Sequence, residues 1–203
     1  MTLIIRNKLV EKEDRNKQLK EIIEGCVRGK RKYQERLFKM YYGKMLSVCM
    51  RYMPDQDSAQ EIVQVGFIKV FDKLGSYDFN GSFEGWLRRI MANTAIDAIR
   101  KSKKDPFLAE DEARTFQDNS PEPMIHEEEI ELTGMKAEMA MKAIQSLSPA
   151  YQAVFNLYVF ENQTHKEIAE ILGISEGTSK SNLAKAKANL KKILEKEFDK
   201  IHH

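Results

Sequence analysis

The sequence predicts an all-α protein built as two small helical domains joined by a flexible acidic linker. Three observations carry this. Apolar residues recur at helical spacing on both sides of the chain's middle, no alternating β-branched run occurs outside those segments, and acids and prolines gather between them. Residues 105–131 hold ten acids against the single base Arg114, a net of −9, so that the rest of the chain carries +11. Pro106, Pro121 and Pro123, three of the five prolines, fall in the same stretch, which has no sustained apolar period. The expected domains are therefore 15–104 and 132–200, with 105–131 as a tether that keeps two basic modules at variable separation.

Taken in order, "QLKEIIEGCV" and "RLFKMYYGKMLSVCMRYM" have helical periodicity, the second stopping at Pro54. Asp57 with Gln60 offers a capping-box-like start to a third helix whose stripe is Ala59, Ile62, Val63, Gly66, Phe67, Val70 and Leu74. Gly66 costs about 1 kcal/mol relative to Ala inside a helix, which predicts a close helix contact there. "GSYDFNGS" is a loop, and Ser82 caps a fourth helix with Phe83, Leu87, Ile90, Ala95, Ile96 and Ile99 inward. Beyond the linker a helix over 132–146 precedes Ser148 and Pro149, suited to the cap and first turn of the next. Thr164 and Glu167 form a capping box, Gly173 ends that short helix, and Ser175 caps the last and longest one.

Several function classes are disfavoured. No apolar run approaches the roughly 18 residues of a membrane span, and "MTLIIRNKLVEKEDR" lacks the apolar core of an export signal, so a cytoplasmic protein is expected. Cys26 and Cys49 sit within helical patterns and are expected as buried reduced thiols, a disulfide being the weaker alternative. "HEEEI" lacks the second histidine of a zinc protease and no phosphate-cradling glycine loop is present; no catalytic residue, metal site or cofactor is assigned.

What remains is binding. In "THKEIAEILGISEGTSKSNLAKAKANL" Ala169 allows close helix packing, Gly173 permits a left-handed turn, and Ile168, Leu172, Ile174 and Leu183 bury the motif. This is a helix-turn-helix pattern. Lys180, Ser181, Asn182, Lys185 and Lys187 fall where a recognition helix meets base edges and phosphates, although Ser179 occupies a position that normally wants an apolar residue. The fourth helix carries Arg88, Arg89, Arg100, Lys101, Lys103 and Lys104 around the only tryptophan, Trp86. Basic charge beside aromatic surface suits unpaired bases, though Trp86 taken alone fits a plain core position equally well. Glu61, Gln64, Val65 and Ile68 form a second stripe on the third helix, which solvation or a protein partner explains.

Together these segments resemble the extracytoplasmic-function class of sigma factors, the two-domain initiation subunits of bacterial RNA polymerase. "SAQEIVQVGFIKVFDKL" is similar to the core-binding helix of sigma region 2. "SFEGWLRRIMANTAIDAIRK" is similar to the minus-ten-reading and melting helix, with Trp86, Asn93, Asp97 and Arg100 at signature positions. "LSPAYQAVFNLYVFENQTHKEIAEILGISEGTSKSNLAKAK" resembles region 4, the minus-thirty-five reader. The chain departs from the family at Ser58, Val65, Ser179 and Asn182. The resemblance implies core polymerase contacts at Glu61, Gln64, Val65 and Ile68. It implies minus-ten contacts at Phe79, Asn80, Trp86, Arg88, Arg89, Asn93 and Arg100, and minus-thirty-five contacts at Lys166, Thr178, Lys180, Ser181, Asn182, Lys185 and Lys187. The implied partners are core RNA polymerase, promoter DNA as duplex and melted strand, and in some members an anti-sigma factor. A conventional helix-turn-helix regulator stands as the alternative, and a protein-only interaction module is disfavoured by the +11 charge outside the linker.

Overall fold

The computed structural model describes residues 16–102, 107 and 134–202, and every regular element among them is helical. The expected tether, and with it the expectation of its flexibility, lies outside the described residues except at Phe107. That residue is buried in the core beneath the Arg100 guanidinium, 5.5 Å from its ring centroid.

The N-terminal module comprises α1 (16–27), α2 (Arg31–Met50), α3 (Gln56–Lys73) and α4 (Phe83–Ser102). α2 starts five residues before the apolar periodicity at Arg36 does, because Arg31, Lys32, Gln34 and Glu35 extend it with polar side chains while the single aromatic of that turn, Tyr33, packs back over Gly25 of α1. The cap of α3 also differs from expectation. Asp55, extended at φ −144° and ψ 168°, accepts from the Ser58 amide at 2.7 Å and from its hydroxyl at 3.0 Å. Two hydrogen bonds hold the Asp55 carboxyl below the usual carboxylate range and leave Asp57 in the first turn, where its charge favours the helix dipole. The predicted α3 stripe is buried throughout, and a Cβ at Gly66 would overlap Met91 Sδ of α4. Missing side-chain volume at Gly66 therefore lets the two helices cross closely. Leu37, Met45, Val63, Leu87 and Met91 close the core.

The C-terminal module comprises α5 (Gly134–Gln145), α6 (Pro149–Phe155), α7 (His165–Leu172) and α8 (Glu176–His202). α6 runs directly into a π-helical turn, Asn156–Phe160, which the sequence pattern does not reveal. Thr164 and Glu167 form the reciprocal capping box, Gly173 adopts φ 69° and ψ 32°, and the Thr178 amide donates to Ser175 Oγ at 2.9 Å. These local signals act as the sequence predicts. At Ser148 the backbone is extended and Pro149 takes the first helical position, yet the serine hydroxyl makes no capping bond. Ile168, Leu172, Leu157 and Leu183 bury the helix-turn-helix, while Ala143, Ile144 and Leu147 cover Ala186 and Leu190 of α8.

The two modules are packed against each other. Gln145 Nε2 donates to the Met50 and Met53 carbonyls at 2.8 and 3.0 Å, and Asn156 Nδ2 donates to the Arg51 carbonyl at 2.8 Å. These bonds satisfy carbonyls at the C-terminal end of α2, which would otherwise be orphaned on burial.

Candidate nucleic-acid interface

The third helix presents two faces. Its inner face is core, whereas Glu61, Gln64, Val65 and Ile68 are all exposed, Val65 at 46% and Ile68 at 62%. Two large aliphatic side chains flanked by polar ones on a single helix face make a small amphipathic docking stripe. The structure thus brings the four residues assigned to polymerase together.

The loop before α4 is aromatic and ordered by its own side chains. Asp78 accepts from the Asn80 amide and from Asn80 Nδ2, both at 2.9 Å, while Ser82 Oγ accepts from the Gly85 amide at 3.2 Å. Phe79 has φ 62°, a left-handed conformation uncommon for a non-glycine residue, and remains 45% exposed. Its ring packs 5.1 Å from that of Tyr77, which also contacts Phe83 and Trp86 at 5.0 and 5.4 Å. Trp86 lies over Phe83 at 5.7 Å and is half-buried, so both readings of this residue hold in part. It is a wall of the cluster with one open face.

Further along α4, Asn93 is exposed and Asp97 is tied to Lys69 of α3 at 3.0 Å. The arginines are otherwise engaged. Arg88 donates from Nε and Nη2 to the Glu161 carboxylate at 2.9 and 3.0 Å, and from Nη2 to the Phe160 carbonyl at 2.8 Å. Arg100 Nη2 donates to the Ile171 carbonyl at 3.0 Å. In the amide orientation that satisfies both of its ends, Gln163 accepts from Arg89 Nε at 3.0 Å and donates to Glu167. Arg51, which the sequence did not single out, donates to Glu161 at 2.8 Å and lies 4.3 Å from the Phe160 ring centroid.

In α8, Lys180, Ser181 and Lys185 are exposed, as is Lys166 on α7; Thr178 and Lys187 are half-buried, and Lys187 Nζ sits 5.9 Å above the Tyr158 ring. Asn182 departs from the expected contact surface. It is 4% exposed, and its neighbour in the period, Ser179, is fully buried. The signal was present, since steps of three and four residues from Leu183 run through Ser179, Asn182, Ala186 and Leu190. Ser179 Oγ is 2.9 Å from His165 Nδ1, and the His165 ring stacks on Tyr158 at 4.8 Å. A hydrogen bond therefore replaces apolar packing where the first helix of the motif meets the second.

A helical module with an amphipathic docking stripe and a basic, aromatic strip, beside a helix-turn-helix with lysines on its second helix, defines a multi-contact DNA-binding protein. Comparison with known families is specific. Sigma-70 region 2 matches residues 37–105 and sigma-70 region 4 matches residues 137–190. The chain belongs to the sigma-70 family, in its extracytoplasmic-function class. It is 27% identical over 188 residues to the RNA polymerase sigma-H factor of Pseudomonas aeruginosa, covering 88% of this chain and 94% of that protein. It is 29% identical over 160 residues to the ECF sigma factor SigW of Bacillus subtilis, covering 76% and 85%. The fold matches that of the sigma factor RpoE, solved with the anti-sigma factor NepR from Bartonella quintana, with TM-score 0.51 and 19% identity over 79% of this chain and 96% of that one.

Proposed function

We propose that the chain acts as a promoter-specificity subunit with a division of labour among three helices. α3 docks on core RNA polymerase through Glu61, Gln64, Val65 and Ile68. The loop at 77–82 and α4 hold the melted minus-ten strand, and the exposed side of α8 reads the minus-thirty-five element. The observation that carries this reading is the α3 stripe, because Val65 and Ile68 hold two large aliphatic side chains in solvent on one face, which hydration alone does not favour and a partner surface would cover. The chain supplies binding and strand capture, and bond making belongs to the polymerase; the cytoplasm, where polymerase works, is its place of action. Co-purification with core enzyme followed by run-off transcription tests the whole reading: a chain that binds promoter DNA but neither retains core enzyme nor starts transcripts is a conventional regulator.

Strand capture has a local test. Because Phe79 is exposed and its conformation is set by neighbouring backbone and Asp78, Phe79→Ala removes a stacking surface without opening the core. Stacking of a base on an aromatic side chain contributes about 1–3 kcal/mol. Permanganate reactivity of minus-ten thymines is expected to fall at least about fivefold, with initial duplex binding unchanged; equal reactivity would assign Phe79 to structure alone.

Upstream reading divides between two lysines. Lys185 is exposed on the recognition helix and can donate to guanine O6 and N7, so Lys185→Ala is expected to remove about 1–3 kcal/mol of discrimination at one base pair. Lys187, drawn back over Tyr158, is placed for a phosphate, so Lys187→Ala is expected to weaken all sequences alike and to lower the salt slope by about 0.9. A promoter-variant library assayed with polymerase checks both, and uniform loss from Lys185→Ala reverses the assignment.

A further inference from the structure

We propose that Arg51 and Arg88 form an anion site for a DNA phosphate, and that Glu161 fills this site as an internal stand-in that holds the two modules shut when DNA is absent. The proposal rests on the reading of the chain as a promoter binder and adds to it a further contact residue, Arg51, and a reason for the packed arrangement.

The geometry is that of a built anion site. The Glu161 side chain is 2% exposed and is gripped by two guanidiniums, Arg88 in the two-bond fork that suits carboxylate and phosphate alike. Two positive charges meet one negative charge, and Arg51 Nε has no acceptor, so a single carboxylate does not saturate the pair. Burial pulls the Arg51 guanidinium below its ordinary value, while the hydrogen bond to Glu161 holds that of Arg88 above it. Stability alone gives a poor account of such a cluster. Desolvating three ions offsets most of their attraction, and apolar residues of similar size would hold the modules together as well or better.

The neighbouring contacts repeat the pattern. Arg51, Arg88, Arg89 and Arg100 all find acceptors on the C-terminal module: a carboxylate, an amide oxygen and two main-chain carbonyls. One surface thus presents a row of cations and the other a row of acceptors, as a nucleic-acid strand would. Three of the four arginines are those assigned to the promoter, and a phosphate cannot reach Arg88 while the Glu161 carboxylate lies 2.9 Å from its Nε. The two uses exclude each other. Parting of the modules exchanges Glu161 for phosphate at the same donors, and the apparent DNA affinity of the free chain falls with the fraction that is open.

The test uses the full chain without polymerase. Dyes are placed at Lys32→Cys and Ala188→Cys, both exposed, while burial keeps the native thiols protonated, Cys26 pushed up to about 11 and Cys49 to about 12. Glu161→Gln is expected to lengthen the distance between the dyes and to tighten binding of a promoter duplex about tenfold. Adding Arg51→Ala to Glu161→Gln should then lower the salt slope of that binding by about 0.9, the loss of one phosphate contact. Wild-type distance and wild-type affinity in Glu161→Gln overturn the latch; an unchanged salt slope on adding Arg51→Ala overturns the phosphate assignment. If Glu161→Gln loses its helicity, Gln145→Ala, which removes only the two bonds to the Met50 and Met53 carbonyls, is judged by the same criteria. Run-off transcription by the wild-type chain separates the two failures: transcripts with no latch leave the promoter function standing, and no transcripts remove that function whatever the distance shows.

Discussion

Ile68→Glu, introduced together with Val65→Glu, is expected to lower affinity for core RNA polymerase at least about thirtyfold while the melting temperature stays close to wild type. Both side chains are exposed and belong to no core contact, so the fold loses little; surface substitutions of this kind usually stay within about 0.5 kcal/mol. At an interface the same two residues are the only large apolar groups of the stripe. Truncating a residue at a binding hot spot costs about 2 kcal/mol or more, and placing a carboxylate there adds desolvation. Glu61→Lys with Gln64→Ala, one turn earlier on the same face, should give a smaller loss because its groups are polar and solvated. A fluorescence titration with labelled core enzyme measures all of them, and unchanged affinity in the Val65 and Ile68 double variant would remove α3 as the docking helix.

Gly66→Val is expected to lower the melting temperature by on the order of 10 °C. The substituent would enter the space held by Met91 Sδ, at a crossing where Val63 and Leu87 are also fully buried. Overpacking a core costs about 1–3 kcal/mol, and a β-branched side chain in mid-helix recovers little of the glycine penalty. For a domain of this size each kcal/mol moves the midpoint by about 4–8 °C. Met91→Ala alone opens a cavity and is destabilising too. Combined with Gly66→Val it should recover part of both losses, because the methyl groups of one variant occupy the volume vacated by the other. Strict additivity in the double variant, measured by thermal unfolding, would mean that the two residues do not share the crossing.

Much of this architecture is written in local sequence. Thr164 with Glu167, Gly173, Ser175 and Ser82 each act within four residues of themselves, so the pattern that names them is also the pattern that makes the bond. The cap of α3 shows the limit of that logic. Asp55 and Asp57 are both acids ahead of an apolar stripe, and only the extended backbone at Asp55 decides which carboxylate reaches the amide of Ser58. The stripe Glu61, Gln64, Val65, Ile68 was legible as a face, and the family resemblance gave it a partner. Asn182 lies inward because helical period sets it beside Leu183, although a polar residue on a basic helix reads as outward. Arg51 and Glu161 were invisible for a different reason. They lie 110 positions apart, and nothing in the surroundings of either announces the other.

The π-helical turn at Asn156–Phe160 has a mechanical side. Here the Glu161 amide reaches back to the Asn156 carbonyl at 3.2 Å, so one more residue is threaded into the turn than an α-helix holds. Rewinding that turn as ordinary α-helix, with no residue removed, would rotate everything after it by about 100° relative to α6. Phe160 and Glu161 would then swing off the face that meets the N-terminal module, carrying away a stacked ring and a carboxylate in one step. An inserted residue thus works like a cam on a shaft: it changes the angle at which the rest of the shaft engages and leaves its bearings where they were.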